Sequence, residues 1–362
     1  MIRRLVFVAL LAIACPAQTK PEKQSPDPAP RMDKVVQSYV TDKKFMGSVL
    51  VAEGEKVLLS KGYGSANLEW EVPNAPDTKF RLGSLTKQFT AACILLLEER
   101  GKLKTDDPVR KHMPDAPAAW DKITIFHLLT HTSGIPNFTG FPDFSSTEAF
   151  STTPEKLVAR FRDKPLDFQP GEKWNYGNSG YVLLGYLIEK ISGQSYADFV
   201  QQNIFQPLGM KDSGYDSNSA VIAHRASGYT PSSHGPVNAS YVDMTIPLSA
   251  GGLYSTTEDL LRWERGLFGG KLLKPGSLER MITPFKNDYA FGLGVHTAGG
   301  RKVIEHAGGI EGFHTHLAYY PDDKLVVVVL ANLNGTAASA MAPKLASVAF
   351  LTGDKSSRLV VH

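Results

Sequence analysis

Strand-forming sequence is confined to the two ends of this chain, and that separation limits the fold more than any other feature. Residues 48–52 and 56–60 are short β-prone runs around Glu53-Gly54-Glu55, which reads as a hairpin. Residues 302–305, 315–320 and 325–330 are strand-like again, and the run Val326-Val327-Val328-Val329 predicts a strand covered on both faces. The intervening residues 80–285 carry helical patterns and Pro/Gly loops. Strands at both ends most simply pair into one antiparallel sheet, flanked by helices predicted at 31–42 and 336–351, with the middle inserted as a mostly helical lobe. The expected fold class is therefore α+β, with a sheet lobe from residues 31–79 plus 286–352, a helical lobe from 80–285, and a ligand cleft between them. At 362 residues and 42% hydrophobic composition, the chain has enough apolar surface to bury a core of that size.

Two helices of the middle segment can be placed closely. Residues 85–100 are apolar nearly all round, which predicts a central, buried helix ended by Gly101. Residues 181–191 follow Asn178 and Ser179, read as caps, and precede Gly193. Ser255 with Glu258, or Thr256 with Asp259, marks a third helix start.

The first 17 residues read as an export signal. Arg3 and Arg4 precede ten apolar residues at 5–14 and small residues at Ala12, Ala14 and Ala17, the order of a secretory signal peptide and too short a run to span a bilayer. The expected location is periplasmic or extracellular. Cys15, at the end of Leu11-Ala12-Ile13-Ala14-Cys15, partly resembles a lipoprotein box, so two fates stay open for it: removal with the signal, or lipid attachment that would anchor the protein to a membrane. Residues 18–30, with prolines at 21, 26, 28 and 30, read as a tether and 353–362 as a tail. Losing Arg3 and Arg4 lowers the formal charge from +3 to +1, which leaves no electrostatic case for nucleic acid. Cys93, in the buried helix, would then have no disulfide partner.

Three short constellations carry chemistry. Ser84-Leu85-Thr86-Lys87 puts a hydroxyl and an amine on one face at the start of the buried helix, where desolvation would let the amine accept the serine proton. Tyr176-Gly177-Asn178 follows 92 residues after Ser84 and offers a phenol, which beside a cation can become phenolate-like and serve as a general base for the nucleophile or a proton donor to the leaving group, and an amide able to hold Lys87 or a carbonyl. His306-Ala307-Gly308-Gly309 ends the strand that starts near Lys302; its His would point into the cleft while the glycines admit a substrate backbone and expose an N–H. Taken singly, each has an ordinary structural reading as a cap, a turn or a strand end.

Together and in this order they resemble the serine β-lactamase and penicillin-binding-protein family, and within it the class C β-lactamase, D-alanyl-D-alanine carboxypeptidase and esterase branch. Further landmarks run in family order: Gly62-Tyr63-Gly64, Phe80-Arg81, Leu128-Leu129-Thr130-His131-Thr132-Ser133-Gly134-Ile135-Pro136 and Pro170-Gly171-Glu172. The resemblance implies a β-lactamase/transpeptidase-like fold, Ser84 as nucleophile, Lys87 and Tyr176 as the proton-transfer pair, Asn178 orienting them, and an oxyanion hole from the N–H groups of Ser84 and Gly309. It implies no cofactor. His306, Gly308 and Asn178 would bind a small-molecule or peptide substrate.

His306 stands where many β-lactamases carry Lys, and a titrating imidazole predicts a Michaelis constant for anionic substrates that rises between about pH 6 and 8. D-amino-acid peptides or esters are accordingly expected ahead of β-lactams, with a catalytically silent binder of peptidoglycan fragments as the rival. His127 with His131, and His314 with His316, have the spacing of metal pairs; both lack the Glu of an H-E-x-x-H site, and no metal is expected. Trp174, Tyr181, Tyr229, Tyr241 and Phe313 are candidate pocket aromatics, Phe313 and Tyr229 foremost.

Overall fold

The computed structural model describes residues 27–353. The signal-peptide reading of residues 1–17, the fate of Cys15, most of the tether and nearly all of the tail lie outside the described residues.

Six strands form one antiparallel sheet: β1 (Gly47–Glu53), β2 (Lys56–Tyr63), β3 (Gly294–Ala298), β4 (Arg301–Ile310), β5 (Phe313–Tyr320) and β6 (Leu325–Ala331), in the spatial order β3-β4-β5-β6-β1-β2. The join between the two ends of the chain is the β1–β6 pair, in which Val49 faces Val329 and Val51 faces Val327. Two of the six strands come from the start of the chain and four from its end, and β3 adds a strand to those expected from the sequence. On one face Val49, Val51, Val327 and Val329 pack with Met32 and Val36 of α1 (Ala29–Thr41) and with Met341 and Leu345 of α5 (Ala337–Gly353). On the other, Leu50, Val328 and Leu330 join the core of the inserted helices. All of β6 is buried because both its faces are covered. Helix α1 takes in Ala29 and Pro30, which the sequence had placed in the tether; a proline in the first turn costs no helix hydrogen bond.

The centre of the inserted segment is α2 (Thr86–Glu99), entered through a 3₁₀ turn at Gly83–Leu85. Every residue from 86 to 97 is buried, as the all-round apolar pattern predicts. Helix α3 (Asn178–Ser192) packs on it and ends at Gly193 in the left-handed conformation. Asn178 is the first helical residue and not a cap; Gly177 holds the cap position and makes no side-chain cap bond. Helix α4 (Thr257–Phe268) starts at Thr256, whose hydroxyl accepts from the Asp259 N–H, so Thr256 supplies the cap and Ser255 does not.

Two close approaches position the loops around the start of α2. A Cβ on Gly185 of α3 would lie 2.0 Å from Ser249 Oγ, so only glycine lets α3 meet the segment carrying Ser249 and Ala250. The turn before Ser84 rests on the sheet: Thr315 Oγ1 of β5 donates to Leu82 O at 2.8 Å, and Gly308 of β4 faces the same carbonyl, with room for no Cβ.

Candidate active site

Gly83 has φ +54°, in the left-handed region, and a Cβ there would sit 2.9 Å from the backbone N, C and O of Gly309. Glycine at 83 thus brings the N-terminal turn of α2 against β4 and sets Ser84 beside Gly309. Opening-turn N–H groups have no intrahelical acceptor, so the N–H of Ser84 is placed to receive negative charge. Gly308 is buried against Leu82, which admits this approach, and it borders the wider groove at Ser84, whereas Gly309 is exposed and borders the cavities on both sides of Ser84.

Lys87 is 0% exposed and its Nζ lies 2.9 Å from each of three oxygens: Ser84 Oγ, Asn178 Oδ1 and Ala250 O. As an ammonium it donates to all three. Burial with no carboxylate partner lowers its pKa to about 7. On losing one proton, the amine keeps two N–H groups for the two oxygens that can only accept, and its lone pair is left facing the Ser84 hydroxyl, the one partner able to donate. Asn178 is held in the required orientation: its N–H donates to Asn137 Oδ1 at 2.9 Å and its Nδ2 to Thr139 Oγ1 at 3.1 Å, while the Thr139 hydroxyl donates to Asn137.

Tyr176 completes the group. Its phenol neighbours the Ser84 side chain, and its ring centroid lies 4.9 Å from Lys87 Nζ. Against the phenolate-like reading, burial raises its pKa well above that of an ordinary phenol, and the neighbouring Ser84 hydroxyl offsets only part of this. The resting phenol is therefore neutral and suited to pass a proton, and of the pair Lys87 is the group suited to accept one.

A serine, a sealed lysine and a neutral tyrosine now converge at the mouth of a cleft, and the matching family model, described as Beta-lactamase, covers residues 32–350. The chain belongs to the β-lactamase family. Penicillin-binding protein 4* of Bacillus subtilis (strain 168) is 33% identical over 312 residues, 80% of this chain and 68% of the relative. Among solved structures, a penicillin binding protein from Bacillus halodurans superposes with a TM-score of 0.77 at 30% identity, covering 87% of this chain and 98% of the other. A D-stereospecific amidohydrolase from Streptomyces superposes with a TM-score of 0.74 at 26% identity, covering 90% and 98%.

Within this β-lactamase-family site His306 departs from its expected behaviour. It lies inside β4, which runs on to Ile310, and not at the strand end. Its Nδ1 donates to Ala307 O at 2.6 Å, so its Nε2 accepts from the Tyr289 hydroxyl at 3.0 Å. One edge is open to the cleft, yet desolvation and the nearby Lys87 charge lower its pKa to about 4. His306 is neutral across pH 6–8, and the expected rise of the Michaelis constant over that window loses its cause.

His127 and His131 serve separate structural roles. His127 Nδ1 accepts from Thr124 N at 3.1 Å and closes a helix capping box. His131 turns away at φ +56°, and its Nδ1 accepts the Gly177 N–H at 3.4 Å. Its ring packs 4.4 Å from Tyr176 and 4.7 Å from Tyr289. His316 lies between Glu305 (3.1 Å) and Ser339 (3.2 Å). Among the described residues no three or more His, Cys, Asp or Glu side chains form a metal-holding group.

Two cavities open at Ser84. One, about 180 Å³, is walled by Phe138, Phe144, Val242, Ile246 and Ile310 with Asn178 and Glu311. The other, a wide groove of about 900 Å³, is bordered by Trp174, Tyr176, Tyr289 and His306. Of the five aromatic candidates only Trp174 borders them. Tyr181 is sealed in the core and donates to Leu129 O, Tyr229 OH accepts from Leu68 N, and Tyr241 and Phe313 line a separate cavity. Sequence reasoning missed Ala250, Asn137, Thr139 and Tyr289, and the packing of His131 against Tyr176. Only His131, in the Leu128-to-Pro136 landmark, carried a signal, and Asn137 follows that landmark directly.

Proposed function

We propose that this protein is an exported serine hydrolase that opens amide or ester bonds through an acyl-enzyme on Ser84. The observation that carries the reading is the three-oxygen cage of Lys87, which directs the neutral amine's lone pair at the Ser84 hydroxyl. In acylation the Ser84 oxygen bonds to the substrate carbonyl carbon, Lys87 takes the hydroxyl proton, and the carbonyl oxygen becomes the oxyanion facing the N–H groups of Ser84 and Gly309. Tyr176 then delivers a proton to the departing nitrogen or oxygen and regains one from Lys87; water reverses the sequence to release the acid. The leaving group lies on the Tyr176 side, in the open groove, and the acyl group in the narrower cavity.

That cavity favours an acyl residue with an apolar side chain, and its single charged lining group, Glu311, suits a free ammonium. Because His306 is neutral, the leaving-group side offers no fixed cation there for a terminal carboxylate. Both features support amides or esters of D-amino acids, the stereochemistry being named by the Streptomyces relative, ahead of β-lactams and carboxylate-terminated peptides. Export rests on the Arg3-Arg4 leader. Intact-mass detection of one fluorophosphonate adduct, mapped to Ser84 and lost in Ser84→Ala, is the expected result; folded protein that takes up no label overturns the reading. Nitrocefin turnover at the rate of a resistance enzyme would reverse the substrate order.

A further inference from the structure

Beyond Glu311, on the far side of the turn joining β4 to β5, lies a third cavity of about 550 Å³, within the range of small-ligand sites. Its lining includes Arg81, Arg225, Tyr241, Glu311 and Phe313. Arg81 Nε donates to Asp216 Oδ2 at 2.7 Å and Arg225 Nη1 to Asp216 Oδ1 at 2.6 Å. Asp216 is fully buried, while the two arginine side chains keep 15% and 24% of their surface open. One carboxylate neutralises one guanidinium, so the pair carries a surplus positive charge. Among the described residues, neither terminal nitrogen of Arg81 has a hydrogen-bond partner, and neither does Nη2 of Arg225. The Arg81 guanidinium is braced 5.9 Å from the Phe313 ring, and Tyr241 stands 56% exposed at the rim with an unengaged hydroxyl.

Glu311 borders both this cavity and the acyl cavity at Ser84 and forms no ion pair among the described residues. The lining therefore runs from a carboxylate near Ser84 to guanidinium groups farther out. Glu311, in the turn just past β4, is two residues from Gly309, a span of at most about 7 Å, so an acyl chain held at Ser84 reaches the arginines only if it extends past Glu311.

We propose that this cavity is a distal acyl-side subsite that takes a carboxylate carried on the substrate, held by Arg81 and Arg225 with Tyr241 as rim. The proposal rests on the Ser84 hydrolase reading for its substrate but not for its binding measurement. A charge-assisted contact of this kind is worth about tenfold in affinity.

The experiment compares p-nitrophenyl esters of straight-chain acids from butanoyl to decanoyl with the matching esters that end in a carboxylate. Wild type is expected to show a Michaelis constant about tenfold lower for the carboxylate-ended esters of the longer chains only, and Arg225→Gln to lose that preference while hydrolysing the neutral esters as before. Tyr241→Ala, at an exposed position, is expected to weaken the preference without loss of folding. The proposal is overturned if wild type shows no chain-length-dependent preference, or if Arg225→Gln shifts both ester series equally, which would make the arginines scaffold alone. Should no ester be turned over, the hydrolase reading fails, and calorimetry with suberate still decides the subsite: binding by wild type that Arg225→Gln weakens supports it, and no binding by wild type ends it.

Discussion

At the scale of single residues the proposed mechanism divides the site into a base, a proton carrier and a neutral imidazole. Since Lys87 must be unprotonated to accept the Ser84 proton and its pKa is held near 7, kcat/KM for a neutral ester is expected to rise with pH through about 7 and then level off. Lys87→Met should lower kcat by a factor of about 10²–10⁴ and remove that rise, as read from a pH–rate profile. Tyr176→Phe keeps the ring packing against His131 but removes the hydroxyl; a fall of about 10²-fold or more in kcat with a nearly constant Michaelis constant is expected, greatest for amides, whose leaving nitrogen needs the proton. For anionic substrates the Michaelis constant should stay flat between pH 6 and 8, because His306 gains its proton only near pH 4. A rise by even a factor of three over that window would restore a charged role to His306. Ser84, Lys87, Tyr176 and Asn178 were legible from type and spacing. The protonation states of Tyr176 and His306 were not, because both are fixed by how much water the folded surroundings exclude.

At the scale of elements, the site depends on α2, α3 and β4 approaching more closely than side chains normally allow. Replacing Gly185 with Ala would drive a methyl into Ser249, whose hydroxyl already donates to Tyr181 O, and so push away the segment whose Ala250 carbonyl holds Lys87. Overpacking at such a point costs about 1–3 kcal/mol. Thermal unfolding of Gly185→Ala should show that loss, and kcat should fall with it even though residue 185 touches no substrate. The all-round apolar pattern of α2 was readable in sequence because burial of a helix on every side leaves a compositional trace. The 3₁₀ entry at Gly83–Leu85 left no such trace; the need for glycine there comes from the Gly309 peptide, more than 200 positions away.

At the scale of the whole molecule, folding links protonation to stability through a group remote from the reaction. Among the described residues Glu264 of α4 is buried without a basic partner, and burial raises its pKa from 4.5 to about 8. The native state therefore binds more protons than the unfolded chain between those values, and stability falls as pH rises from about 4.5 to about 8. A shift of this size corresponds to roughly 3–5 kcal/mol across the window. Glu264→Gln should be more stable than wild type at pH 8 by a margin that shrinks toward pH 5, measured by urea unfolding at both values. Equal margins at the two pH values would mean that Glu264 is not protonated in the folded protein.

The sequence by itself determined the main elements and the candidate reacting groups. Strands at both ends had only each other to pair with, a buried helix carried Ser84 and Lys87 three residues apart, and one face of a helix turn brings such a pair together whatever surrounds it. Tertiary structure alone decided everything that depends on distance through space: which carbonyl, that of Ala250, takes the third bond of Lys87; that Tyr289 meets His306; and that Phe313 and Tyr241 turn toward two arginines and not toward Ser84. Backbone oxygens are chemically alike at every position, and desolvation depends on the whole surrounding shell, so neither leaves a mark in residue order.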